Sequence, residues 1–139
     1  MKIVVALMLL IPTASVSAQD LLLFGGRNND VFIGCLTCSK YDSGSVCNRY
    51  GDHGSKYSDE SIWNRYGTYG SKYNDESPWN KYSSNPPSIV DRGGGFYGYF
   101  TANRYASKRT QISSLLALTN NVDLVTEDLE KARDLFCGE

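Results

Sequence analysis

The sequence predicts an α+β domain: a small antiparallel sheet, an aromatic repeat arm inserted between its strands, and one or two helices at the end. Three observations predict it. Two pairs of short β-prone runs, Leu21–Phe24 with Val31–Leu36 and Ile89–Asp91 with Phe96–Thr101, flank a central stretch. That stretch repeats itself with a period of 16 residues. The tail then changes to helical spacing.

Taken in order, the chain of 139 residues opens with a targeting segment over residues 1–18. Lys2 supplies the positive start, Ile3 to Ile11 the apolar stretch, and Val16-Ser17-Ala18 a small-residue cleavage site. The expected product is an exported single domain, periplasmic or extracellular, spanning 19–139, and the apolar run is too short to cross a bilayer. Without Lys2, the 14 basic residues become 13 against 15 acidic ones, a net charge near −2. The first strand pair is joined by the turn-forming Gly25-Gly26-Arg27-Asn28-Asn29-Asp30.

The arm covers about residues 39–84. Cys47–Ile62 (CNRYGDHGSKYSDESI) and Trp63–Pro78 (WNRYGTYGSKYNDESP) match at 11 of 16 positions without a gap, with half copies on either side. Ser45, Ser61 and Ser77 are equivalent and are followed by Val46, Ile62 and Pro78. A slot that accepts Pro directly behind Ser reads as the first position after an N-cap. Each copy is therefore expected to form one helical turn (46–50, 62–66, 78–82), with Gly51 and Gly67 as left-handed caps. A unit of this size cannot bury its own apolar face, so copies must pack on each other or on the sheet. Lysines and arginines in the arm number six, as do its aspartates and glutamates. This balance lacks the one-sided field of a nucleic-acid groove.

After the arm, Asn85-Pro86-Pro87 breaks the pattern, and Arg92-Gly93-Gly94-Gly95 turns the second strand pair into a hairpin. Ile112, Leu115, Leu116 and Leu118 suit one amphipathic helix, interrupted near Asn120-Asn121. Val125, Leu129, Ala132 and Phe136 suit a second, with Thr126 and Glu127 near its start and Gly138 past its end.

Seven of the ten tyrosines and both tryptophans lie in the arm. With almost no Leu, Ile or Val available, most of these rings are expected to be the arm's core. An exposed minority would form a contact surface able to stack on a flat ligand such as a sugar ring. The candidates are Tyr50, Tyr57, Tyr66, Tyr69, Tyr73, Tyr82, Trp63 and Trp79.

Four cysteines, Cys35, Cys38, Cys47 and Cys137, point to two structural disulfides in an exported chain, with three connectivities open. Cys35 and Cys38 form a CxxC, which admits a redox pair or half a zinc site as alternatives. The expected strand context, the missing βαβ pattern and the irregular spacing of the other two cysteines weigh against both. His53 aligns with Tyr69 and reads as a ring in a tolerant slot; the competing reading is a hydrolase base working with Asp52 or Asp59. The sequence contains no GxSxG, P-loop, HExxH or EF-hand pattern, so no catalytic residue, metal or cofactor is assigned.

The order Asn-Arg-Tyr-Gly-x-x-Gly-Ser-Lys-Tyr-x-x-x-Ser-x-Trp-Asn (48–64, nearly again 64–80), Asn85-Pro86-Pro87 and Phe96–Asn103 resembles a family of small exported bacterial proteins. The likeness covers about residues 31–104. It implies a bacterial, exported, single-domain protein and carries no functional residue with it. The function expected from the residues is a non-enzymatic binding or interaction module. Its contact surface is on the tyrosine-rich arm and its partner a cell-envelope glycan or protein.

Overall fold

A computed structural model describes residues 19–139; the targeting segment expected over 1–18 lies outside the described residues. The expected α+β architecture is present, with one four-stranded antiparallel sheet and three helices after it. Strands β1 (Leu21–Gly25), β2 (Val31–Cys35), β3 (Ser88–Asp91) and β4 (Phe96–Tyr99) are ordered β2-β1-β3-β4. β1 pairs with both β2 and β3, so the arm leaves from one side of β1 and returns on the other. Leu23 faces Gly34 in one register and Ile89 in the other, and Leu23, Ile33 and Ile89 are wholly buried.

The second strand pair ends earlier than the sequence suggests, at Tyr99 rather than Thr101. The Phe100 N–H still reaches the Pro87 carbonyl at 2.8 Å, but Thr101 then begins a turn. Gly98 has a φ of +94°, and a Cβ there would stand 2.7 Å from the Lys108 carbonyl. Only glycine lets the chain pass so close.

The arm contains no helix, which corrects the expected turns at 46–50, 62–66 and 78–82. Instead the chain turns every few residues through backbone bonds spanning three positions. Asn48 donates to Ser45, Asn64 to Ser61 and Asn80 to Ser77, at 3.2 to 3.4 Å. The serine at each corner does accept an orphan donor, but from two residues on: Cys47, Trp63 and Trp79 N–H groups bond Ser45, Ser61 and Ser77 Oγ. Such local side-chain acceptors compete with a helical ladder and win when they recur every third residue. Gly51 and Gly67 are not among the glycines with positive φ. They sit against the side chains of Asn48 and Asn64, which fill the inside of the turn. At Gly54 and Gly70 the crowding is tighter, since a Cβ would run into the backbone of Asn48 and Asn64.

Successive coils are joined by a regular bond. The Trp63 indole N–H donates to the Val46 carbonyl at 2.8 Å, and Trp79 to the Ile62 carbonyl at 2.6 Å. The next carbonyl in the series, Pro78, takes the Ala102 N–H at 2.7 Å and ends the stack against the second strand pair. At the other end Val46 N–H bonds the Cys35 carbonyl, which joins the first coil to β2. Each indole is thus buried with its polar handle satisfied. Trp63 and Trp79 lie 5.8 Å apart, Phe100 covers Trp79 and Phe136 lies beside Trp63. His53 and Tyr69 face the sheet: the histidine ring meets Phe32 edge-on at 4.8 Å, and Tyr69 lies against Gly25.

The tail forms α1 (Ser113–Asn120), α2 (Val122–Glu127) and α3 (Leu129–Phe136). The second expected helix is therefore two. Asp128 divides them because its carboxylate accepts the Lys131 N–H at 3.0 Å and starts α3 as an N-cap. The disulfides are Cys35–Cys38 and Cys47–Cys137, and the second ties the first coil to the end of α3. Arg133 is buried and donates to the Gly54 carbonyl at 3.0 Å, fixing α3 on the arm a second time.

Candidate functional site

The two full coils each bury one indole and the apolar residue before it, Trp63 with Ile62 and Trp79 with Pro78. All tyrosines of the arm except Tyr69 are left outside. Tyr41, Tyr50, Tyr57, Tyr66, Tyr73, Tyr82 and Tyr105 are each between 81% and 97% exposed. This overturns the expectation that most rings of the arm form its core. Of the eight candidate contact residues, Tyr50, Tyr57, Tyr66, Tyr73 and Tyr82 lie on the surface. Trp63, Trp79 and Tyr69 do not; the tryptophans are 1% exposed, and Tyr69 is held on the sheet, where burial raises its phenol pKa.

The seven most exposed tyrosines each follow a lysine or arginine, while Tyr69, Tyr99 and the 43% exposed Tyr97 do not. Within the arm that signal was available in the sequence and separates the six outward tyrosines from the buried Tyr69. Cations lie over four of the rings: Lys40 on Tyr41, Lys56 on Tyr57, Arg65 on Tyr66 and Lys72 on Tyr73, at 5.2 to 5.5 Å. Sequence reading also missed a fourth Asn-(Arg/Lys)-Tyr unit, Asn103-Arg104-Tyr105, because it follows a strand and lacks the tryptophan. In all four units the Asn Oδ1 accepts the tyrosine N–H, at 2.9 to 3.1 Å. Its Nδ2 reaches back to an earlier carbonyl. The asparagine therefore fixes the turn from which Tyr50, Tyr66, Tyr82 and Tyr105 project, while Ser39, Ser55 and Ser71 Oγ accept the N–H groups of Tyr41, Tyr57 and Tyr73.

The six exposed rings of the arm stand on the seam between the arm and the tail. Three clefts of about 710, 480 and 400 Å³ follow one another there. Their arm-side walls are built from the same slots shifted by the repeat. One wall is Tyr41, Tyr57 or Tyr73; the other is Tyr50, Tyr66 or Tyr82. The floor is Cys47 in the first cleft, where the indole slot holds the disulfide, and Trp63 or Trp79 in the others. The tail closes the far side with Glu139, then with Glu127 to Glu130, then with Val122, Asp123 and Thr126.

Charges across the seam are largely paired. Arg49 bonds Asp134 and Glu139 at 3.2 and 3.0 Å, Lys56 bonds Glu130 at 2.8 Å, and Lys81 bonds Asp123 at 2.7 Å. These contacts raise the pKa of Arg49, chiefly through Glu139, and of Lys56, chiefly through Glu130. The Lys81 ammonium likewise holds the Asp123 carboxyl below its ordinary range. Exposed pairs of this kind contribute little to stability. They leave each cleft with donors on the arm side and acceptors on the tail side.

His53 is buried, with Phe32 on its ring and Glu60 as its polar neighbour through both carbonyl and carboxylate, at 3.5 and 3.9 Å. Tyr69, one period later, faces the same sheet but lies against Gly25. Asp20 lies beside the Cys35–Cys38 pair, and that sulfur pair is engaged in a disulfide. No family model matches the chain, and no curated protein or solved structure matches it either.

Proposed function

We infer that this chain is an exported, non-enzymatic binding module whose contact surface is the row of tyrosines along the seam, and whose partner belongs to the cell envelope. One observation carries the reading: six large rings of the arm are held almost fully in solvent while the tryptophans beside them are buried. A large exposed apolar patch marks an interaction surface, whereas apolar residues scattered singly over a surface do not. The asparagine bonds and cations that orient them show that this outward display is built into every coil. Both disulfides support an oxidising compartment outside the cytoplasm. Among the described residues no helix is long and apolar enough to cross a membrane.

The test compares wild type with a variant carrying Tyr57→Ser, Tyr66→Ser, Tyr73→Ser and Tyr82→Ser for retention on a cell-envelope fraction of the source organism. The variant is expected to keep its circular dichroism and melting temperature and to lose retention. Undiminished retention would place the contact surface elsewhere.

A further inference from the structure

The three clefts share their arm-side construction, and this repetition says more about the ligand than any single cleft does. Residues 40, 56 and 72, then 41, 57 and 73, and so on through 50, 66 and 82, line them in register. A surface with one binding unit per coil suits a ligand with one chemical unit per step. We propose that the clefts are successive subsites for a single linear, neutral glycan lying along the seam. This rests on the tyrosine-row reading above and names its ligand class.

The chemistry of each cleft selects that class. Two tyrosine rings give flat apolar faces, which suit the C–H face of a pyranose, and their phenol oxygens lie at the solvent edge. Lysine or arginine on one side and carboxylates on the other offer donors and acceptors together, as a rim of sugar hydroxyls requires. One cation of each cleft is already paired across the seam, Arg49 with Asp134 and Glu139, Lys56 with Glu130, and Lys81 with Asp123, while Arg65 and Lys72 lie over their tyrosine rings. A polyanion would have to displace these carboxylates and would then lie beside them. A proline-rich peptide could use the rings, but its backbone offers acceptors without donors and so adds no bond to the tail-side carboxylates, whereas a sugar hydroxyl can donate to them.

Tandem subsites make a specific demand on affinity, because each additional occupied cleft adds binding without a new encounter. The experiment is isothermal titration of the full mature protein with cellohexaose, xylohexaose and chitohexaose, each against its disaccharide. At least one hexasaccharide should bind about tenfold or more tighter than its disaccharide. That affinity should change less than about twofold between about 50 and 500 mM NaCl. Tyr57→Ala with Tyr66→Ala, which strips the middle cleft, should weaken the hexasaccharide at least about fivefold and leave the disaccharide nearly unchanged, since two other clefts can hold it. Silence from all three hexasaccharides, equal affinity for both lengths, or binding of heparin or a proline decamer in their place would each overturn the proposal. If the four-serine variant loses envelope retention while every glycan is silent, the tyrosine row remains the contact surface and only the ligand class is wrong.

Discussion

Trp63 and Tyr66 are three residues apart, and their fates are opposite. The indole fills the coil and donates to Val46, while the phenol stands in water. Trp63→Ala should therefore cost about 3–5 kcal/mol through lost packing and a cavity the thin arm cannot close. Tyr66→Ala should change stability by no more than about 0.5 kcal/mol. Chemical denaturation of the two variants checks this, and equal losses would mean that the tyrosine row is structural. Ser61→Ala removes the acceptor for the Trp63 N–H, in buried surroundings, and should cost about 1 kcal/mol. At this scale the sequence was half legible. Alignment of the copies shows which slots are equivalent, but aromatic type alone does not say which slot points inward. The cation before each outward tyrosine does say so.

An element of this arm is one coil, and what holds coils together is polar as much as apolar. At its end the Asp75 carboxylate receives the Ser84 N–H at 2.8 Å and also bonds the Ser84 hydroxyl and the Asn85 amide, which locks the exit toward β3. These donors, the Ser84 backbone first, hold its pKa below the ordinary aspartate value of 3.8. A folded-state pKa depressed in this way contributes stability above the unfolded value and loses it as pH falls through the folded one. Asp75→Asn should thus be less stable than wild type at pH 7, with the gap narrowing below about pH 4. A gap independent of pH would point to packing in place of charge. The expected helical turns failed for an element-scale reason: Ser and Asn at every third position satisfy N–H groups locally, so no ladder forms. The split between α2 and α3 was similarly hidden, because Asp128 reads as an ordinary polar position until its cap to Lys131 is seen.

For the whole molecule the decisive link is Cys47–Cys137, which closes 90 residues of sequence and fastens the tail along the arm. The loop-closure argument gives it roughly 4–5 kcal/mol, against roughly 2 for Cys35–Cys38, which spans three residues. Replacing Cys47 and Cys137 by serine should lower the melting temperature well below that of the matching Cys35 and Cys38 variant. It should also weaken whatever binds the seam, since the tail forms the far wall of all three clefts. Similar losses from the two variants would mean that Arg133 and the helix packing already hold the tail in place.

The sequence by itself determined the α+β class, the strand pairs, the place of the arm, its period and the presence of two cysteine pairs. Each of these depends on neighbours along the chain: alternation, turn residues, self-similarity and parity. Only the tertiary structure decided the cysteine partners, the helix-free path of the arm and the clefts along the seam. Those depend on how wide the inside of a coil is and on where the tail lies across it. Nothing in residues 39–84 encodes the position of Glu130 or Asp123, yet these carboxylates complete the clefts. A site made by two segments separated by more than 40 residues exists only once both have packed on the same tryptophans.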